Sequence, residues 1–150
     1  MAAGRELLER TERVARALGR LRRAMLTRAE RALERRGDAL VHWQLMSGIA
    51  HDDLHSQAAL AVRIGMDPAG TSRALDELEA RGWVERRRDG DDRRRLNVSL
   101  TPKGKRWFDA ARLEVFSEIA PLFDDLSARE AKQLEALLGR LSATHAALPL

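Results

Sequence analysis

The sequence contains no cysteine and no tyrosine. Without a thiol, disulfides, thiolate zinc sites, cysteine nucleophiles and thiol-based redox sensing are all excluded. Aromatic residues are only 4% of 150 positions, which speaks against the stacking platforms that hold single-stranded nucleic acid. Lysine is scarce as well: it stands only at 103, 105 and 132, so 24 of the 27 basic residues are arginine. Arginine is the side chain for forked recognition of phosphates and guanine edges. No apolar run approaches the length of a bilayer span, and no signal-peptide pattern opens the chain. The expectation is a soluble, cytoplasmic protein forming a single domain over residues 1–150.

What is present is charge, unevenly spread. The net charge is only +4, but residues 1–40 carry 11 Arg against 6 acids, and residues 83–107 carry 9 basic against 4 acidic residues. The tail from 108 to 150 reverses this, with 4 basic and 7 acidic residues. Two basic zones around a neutral middle suggest a polyanion footprint.

Periodicity supplies the elements. Leu7, Val14, Leu18, Leu21, Met25, Ala29 and Leu33 recur on one helix face. They predict a first helix over residues 5–36, ended by Gly37. Such a helix is about 48 Å long at roughly 1.5 Å per residue. It should overhang its own domain and be covered by a second copy. A second helix follows over about 39–49. Ser56 is placed to cap a short helix over 57–64 that Gly65 stops. Asp67 caps the next, with Pro68 at its first position and Gly82 after its end. From Trp83 the period falls to two: a strand over 83–88, a turn at Asp89-Gly90-Asp91-Asp92, and a return strand carrying Leu96, Val98 and Leu100. Thr101 and Pro102 open a helix reaching Ile119, Pro121 marks a break, and Ser127 with Glu130 opens the last helix as a capping box.

Two short helices joined by a glycine turn and followed by a hairpin make a winged helix-turn-helix. Ala61 packs where the helices cross, and Leu60, Ile64, Thr71 and Leu75 fill the space between them. The hairpin concentrates Arg86, Arg87, Arg88, Arg93, Arg94 and Arg95 within ten residues. Charge on an exposed strand edge also blunts unwanted pairing, but that reading leaves the helix pair beside it unexplained.

Residues 57–104 resemble the core of the MarR family of bacterial transcription regulators. The wing Asp92-Arg93-Arg94, followed by Val98-Ser99-Leu100-Thr101 and Gly104, is the most specific part. The layout extends over nearly the whole chain. The fold implied is mainly α with a small β-hairpin wing: a winged core over 39–104, flanked by dimerisation helices over 5–36 and 105–147. The function implied is that of a homodimeric, sequence-specific binder of double-stranded DNA at pseudo-palindromic operators. It would act as a repressor released by a small aromatic or phenolic acid; a ligand-independent architectural DNA binder is the alternative. No enzymatic nucleophile–base arrangement and no phosphate-cradling loop is visible, and no cofactor is implied.

The resemblance also assigns residues. Arg73 would read a base edge from the helix beginning at Pro68, with Ala69, Gly70, Thr71 and Ser72 on its exposed first turns. An ion pair with Glu77 one turn on is the competing use of Arg73. Arg93 would enter the minor groove, Asp92 and Arg94 would brace the wing, and Arg88 and Arg95 extend its basic surface. Ser56 and Gln57, at a helix N-terminus, would meet phosphate. A pocket for an anionic aromatic is expected near Arg23, His42, Trp43 and Met46; plain core packing is the alternative for these last three. The run His51-Asp52-Asp53-Leu54-His55 has ligand-type residues, but it reads better as a solvated loop than as a metal site.

Overall fold

The computed structural model describes residues 2–88 and 96–147. In chain order the elements are α1 (Ala2–Glu34), α2 (Leu40–His51), α3 (Gln57–Ile64), α4 (Pro68–Ala80), β1 (Val84–Arg88), β2 (Leu96–Leu100), α5 (Pro102–Ile119), a 3-10 turn (Ala120–Phe123) and α6 (Ala128–Ala147). The fold is mainly helical with one antiparallel hairpin, in which Val84 pairs with Leu100 and Arg88 with Leu96. Among the described residues no helix is long and apolar enough to cross a membrane.

The chain divides into two compact units, residues 1–118 and 119–150. In the first unit, Leu33, Leu45, Met46, Leu60, Leu75, Leu78, Val84, Val98 and Val115 are fully buried. They come from every helix of the unit and from both strands. Helix ends follow local chemistry. Ser56 Oγ accepts the Ala59 N–H at 3.1 Å and Asp67 Oδ1 accepts the Gly70 N–H at 2.8 Å. Gly65 closes α3 with φ of +68°, a left-handed conformation that costs glycine little. The N-terminal half of α1 is different: every side chain from 4 to 20 is exposed, including Leu7, Leu8, Val14 and Leu18.

In the second unit, Pro121 sits in the 3-10 turn, because its missing N–H cannot continue the α-helical ladder. Ser127 and Glu130 cap α6 reciprocally: the Ser127 N–H reaches Glu130 Oε2 at 2.9 Å and the Glu130 N–H reaches Ser127 Oγ at 3.3 Å. The Ser127 hydroxyl, which donates to Glu130 Oε2, and after it the Ser127 N–H hold the Glu130 carboxyl below its ordinary value. Phe123, Ala131, Leu134 and Leu138 line a shallow apolar groove, and Leu137 and Leu141 are exposed beyond it.

Gly104 closes the first turn of α5 against the strand. A Cβ at this position would land on the Trp83 carbonyl, which is fixed backbone. Thr101 prepares this approach, donating from Oγ1 to the Gly82 carbonyl at 2.6 Å and accepting the Gly104 N–H at 3.0 Å. Gly104→Ala should therefore lower stability by about 1–3 kcal/mol through overpacking, read as a fall in the thermal midpoint.

Candidate nucleic-acid interface

Helices α3 and α4 meet through Leu60, Ala61, Thr71, Ala74 and Leu75, all buried. That packing leaves Ala69 and Arg73 on the outer face of α4 and Gly70 and Ser72 half-exposed. Arg73 forms no hydrogen bond or ion pair among the described residues. Its expected competitor is engaged elsewhere: Glu77 Oε2 lies 3.0 Å from Nε2 of the buried His42. The nearest influence on Arg73 is Asp67. The Gly70 N–H holds that carboxyl below its ordinary value, and the Arg73 charge adds a smaller pull in the same direction.

Thr71 does not lie on the exposed turns as expected for a contact residue. It is 0% exposed, and its hydroxyl donates to the Asp67 carbonyl at 3.0 Å. This back-bond satisfies the polar group inside the helix and lets the side chain join the core. Ser56 and Gln57 are half-buried. Beyond the cap at Ser56, Gln57 Nε2 donates to the Pro68 carbonyl at 3.4 Å and so ties the two helix starts together.

On the hairpin, the three arginines of β1 have separate fates. Arg86 is drawn onto α4, where Asp76 and Glu79 both take its guanidinium, and its side chain is only 15% exposed. Arg87 pairs with Glu85 at 3.0 Å. Arg88 is exposed and makes no ion pair among the described residues. Asp92, Arg93, Arg94 and Arg95 lie outside the described residues.

Residues 38–95, which span α2, the helix pair and the first strand, match the family model described as MarR family. Over these residues the winged core is similar to the MarR family. The chain is 31% identical over 98 residues to the uncharacterized HTH-type transcriptional regulator YdgJ of Bacillus subtilis, covering 65% of this chain and 60% of YdgJ. It is 35% identical over 82 residues to the transcriptional repressor MprA of Escherichia coli, covering 55% of this chain and 47% of MprA. The matched region thus spans about half to three-fifths of these curated relatives. Among solved structures, a mutant MarR from E. coli complexed with operator DNA has a TM-score of 0.69 at 22% identity, covering 90% of this chain and 97% of that one. CouR from Rhodococcus jostii, bound to p-coumaroyl-CoA, also scores 0.69, at 24% identity, covering 85% of this chain and 90% of CouR. At these identities the structural likeness concerns the fold.

None of the four residues expected around a ligand lines the cavity that opens beside them. Trp43 stacks on Phe108, with ring centroids 4.6 Å apart, and is 8% exposed. Met46 and His42 are buried as well, while Arg23 is exposed on α1. A cavity of about 390 Å³ opens one turn further along α2, lined by Ile49, Ala50, His51, His55, Ser99, Leu100, Lys105, Phe108 and Asp109. Phe108, which fills the space beside Trp43, also forms a wall of this cavity.

His55 is a structural residue that the sequence pattern concealed. Its Nδ1 lies 3.0 Å from the Val98 carbonyl and its Nε2 2.8 Å from Asp53 Oδ1. The Val98 N–H donates back to the His55 carbonyl at 2.7 Å, and Ser56 bridges to Asn97. The segment before α3 is thereby pinned to the return strand of the hairpin. Both ring nitrogens are occupied, and among the described residues no group of three or more metal-ligating side chains converges. Nothing local announced this role, because Val98 is 43 residues away.

The Val98 carbonyl, and after it the Asp53 carboxylate, raise the His55 pKa above 6.5. His51, Lys105 and Asp109 line the same cavity and complete its charged surroundings. A raised histidine stabilises the fold fully below the ordinary value and loses that contribution as pH rises through the folded value. The stability difference between the wild type and His55→Gln should therefore be largest below pH 6.5. It should shrink above that value, measured by denaturant unfolding across pH with the His55 ring followed by NMR.

Proposed function

We propose that this chain is a homodimeric, sequence-specific regulator of transcription that binds double-stranded DNA, and that it acts as a repressor released by a small anionic aromatic compound. The observation that carries the reading is Arg73. It stands exposed, and unpaired among the described residues, on the outer face of a capped, proline-started helix, beside the small residues Ala69, Gly70 and Ser72. A forked guanidinium on a guanine edge contributes about 1–3 kcal/mol of discrimination, and small neighbours let the helix approach the groove. Arg88 extends the basic surface to the hairpin, and Arg93, Arg94 and Arg95 continue it in sequence. The match of residues 38–95 to the MarR family model and the likeness to operator-bound MarR support the same reading.

The assembly follows from uncovered apolar surface. Leu7, Val14 and Leu18 on α1, and Leu137 and Leu141 on α6, are large hydrophobic side chains left in solvent. Burying such rows against a second copy is the economical solution. The effector site belongs in the 390 Å³ cavity rather than around Trp43 and Met46. Its apolar walls, Ile49, Leu100 and Phe108, suit an aromatic body, and Lys105 with His51 suits a carboxylate. Occupancy would press on Ser99 and Leu100 of β2 and on the His55 anchor, and so on the wing.

The decisive experiment is retention of fragmented genomic DNA at about 150 mM salt, followed by sequencing. A few fragments sharing an inverted repeat, with half-sites spaced about one helical turn, are expected. Arg73→Ala should flatten the preference among them by roughly tenfold. Uniform recovery of all fragments would replace this reading by that of an architectural DNA binder. For the effector, Lys105→Met should weaken displacement from the operator by aromatic carboxylates about tenfold, the loss expected for one charge-assisted hydrogen bond.

A further inference from the structure

We propose that Asp38 is a positioning residue for DNA recognition: its carboxylate fixes the pitch of α4 against α1 and thereby sets the half-site spacing that a dimer accepts. The proposal rests on the dimeric DNA-binding reading above. Asp38 lies in the short connection between α1 and α2, yet its side chain is only 7% exposed. Its Oδ1 accepts from Arg81 Nη1 at 3.1 Å, and its Oδ2 accepts from Trp107 Nε1 at 3.0 Å and Arg36 Nε at 3.4 Å. The three donors come from the connection just after α1, the residue that closes α4, and α5.

A carboxylate this buried must be paired, and here it is paired three ways. Each partner is held in turn. Arg36 also reaches Glu114 on α5, and the Arg81 guanidinium lies over the Trp83 ring at 4.8 Å. Lys103 Nζ donates to the Arg81 carbonyl at 2.7 Å. The C-terminal end of α4 is thus clamped to the end of the long helix.

Geometry says what the clamp controls. Arg73 stands two turns upstream of Arg81, roughly 12 Å along the helix axis at 1.5 Å per residue. A swing of about 10° around the clamped end would move Arg73 by roughly 2 Å. Two copies swinging oppositely would change the distance between reading heads by roughly 4 Å, close to the 3.4 Å rise of one base step. Releasing the clamp should therefore relax tolerance for spacing while leaving the reading of each half-site intact. A merely structural role would weaken binding to every spacing by the same factor.

The test uses the full chain and the operator recovered from genomic DNA, with derivatives carrying one base pair more or fewer between half-sites, and an isolated half-site. Two variants are compared with the wild type. Asp38→Asn keeps the shape and an acceptor for Trp107 but removes the charge. Arg81→Gln removes the partner on α4, a side chain 41% exposed and tolerant of change. The wild type is expected to prefer the native spacing by roughly tenfold or more, and both variants to reduce that ratio to about two- or threefold. The preference for half-site sequence and the dimer mass by light scattering should persist, and Arg81→Lys should restore part of the ratio. A spacing ratio unchanged in the variants, or losses equal for every spacing and for the half-site, overturns the proposal. If Asp38→Asn does not fold, Arg81→Gln decides alone. Uniform binding of all fragments by the wild type overturns the DNA-regulator reading and this proposal with it. A selective wild type with an unaltered ratio in the variants overturns this proposal only.

Discussion

Two stacked indoles hold the junction between the hairpin and α5. Trp83 and Trp107 lie with ring centroids 4.3 Å apart and planes inclined by 21°. Bringing a strand end that close to a helix requires a residue without a side chain, which is Gly104. Half-burying the Trp107 N–H requires an acceptor, since an unmet buried donor costs about 1–3 kcal/mol. Asp38 supplies it. Once that carboxylate is inside, its own charge demands cations, and Arg36 and Arg81 answer from α1 and the end of α4. A chain of requirements thus runs from one aromatic contact to the orientation of the helix that carries Arg73.

The abundance of arginine takes on meaning only when the guanidinium groups are sorted by partner. Arg35 pairs with Glu118, Arg36 with Glu114 and Asp38, Arg81 with Asp38, and Arg86 with Asp76 and Glu79. Arg63 reaches Asp52 and the Gln44 carbonyl, fastening α3 to α2. These arginines work as struts. Within the helix pair and β1, Arg73 and Arg88 stand outside such pairs among the described residues, and both are exposed.

How much of this could be read from the sequence depends on the range of each interaction. The caps at Ser56, Asp67 and Ser127, and the glycine stops at 37, 65 and 82, are formed by residues within one turn, so their positions were legible. Period-two alternation marked the two strands for the same reason. Thr71 shows where local rules conflict: its spacing with Leu75 and Leu78 points inward, its hydroxyl points outward. The back-bond to Asp67 resolves the conflict in favour of burial. Asp38 and His55 were illegible as organising residues because their partners lie 43 and 69 positions away for Asp38 and 43 for His55. Phe108, which stacks on Trp43 and also walls the cavity, has no local signature.

The capture of Arg86 by Asp76 and Glu79 changes what a simple count of charges implies for a bound polyanion. Salt sensitivity of binding reports the counterions set free, and these are displaced only by cations that meet phosphate. A guanidinium already neutralised by two carboxylates displaces none. The hairpin strand β1 carries three arginines, yet Arg88 alone among them stands clear of an acidic partner in the described residues. In the proposed DNA complex the electrostatic share of affinity would accordingly be smaller than the composition suggests, and a larger share would fall to contacts that depend on shape and sequence.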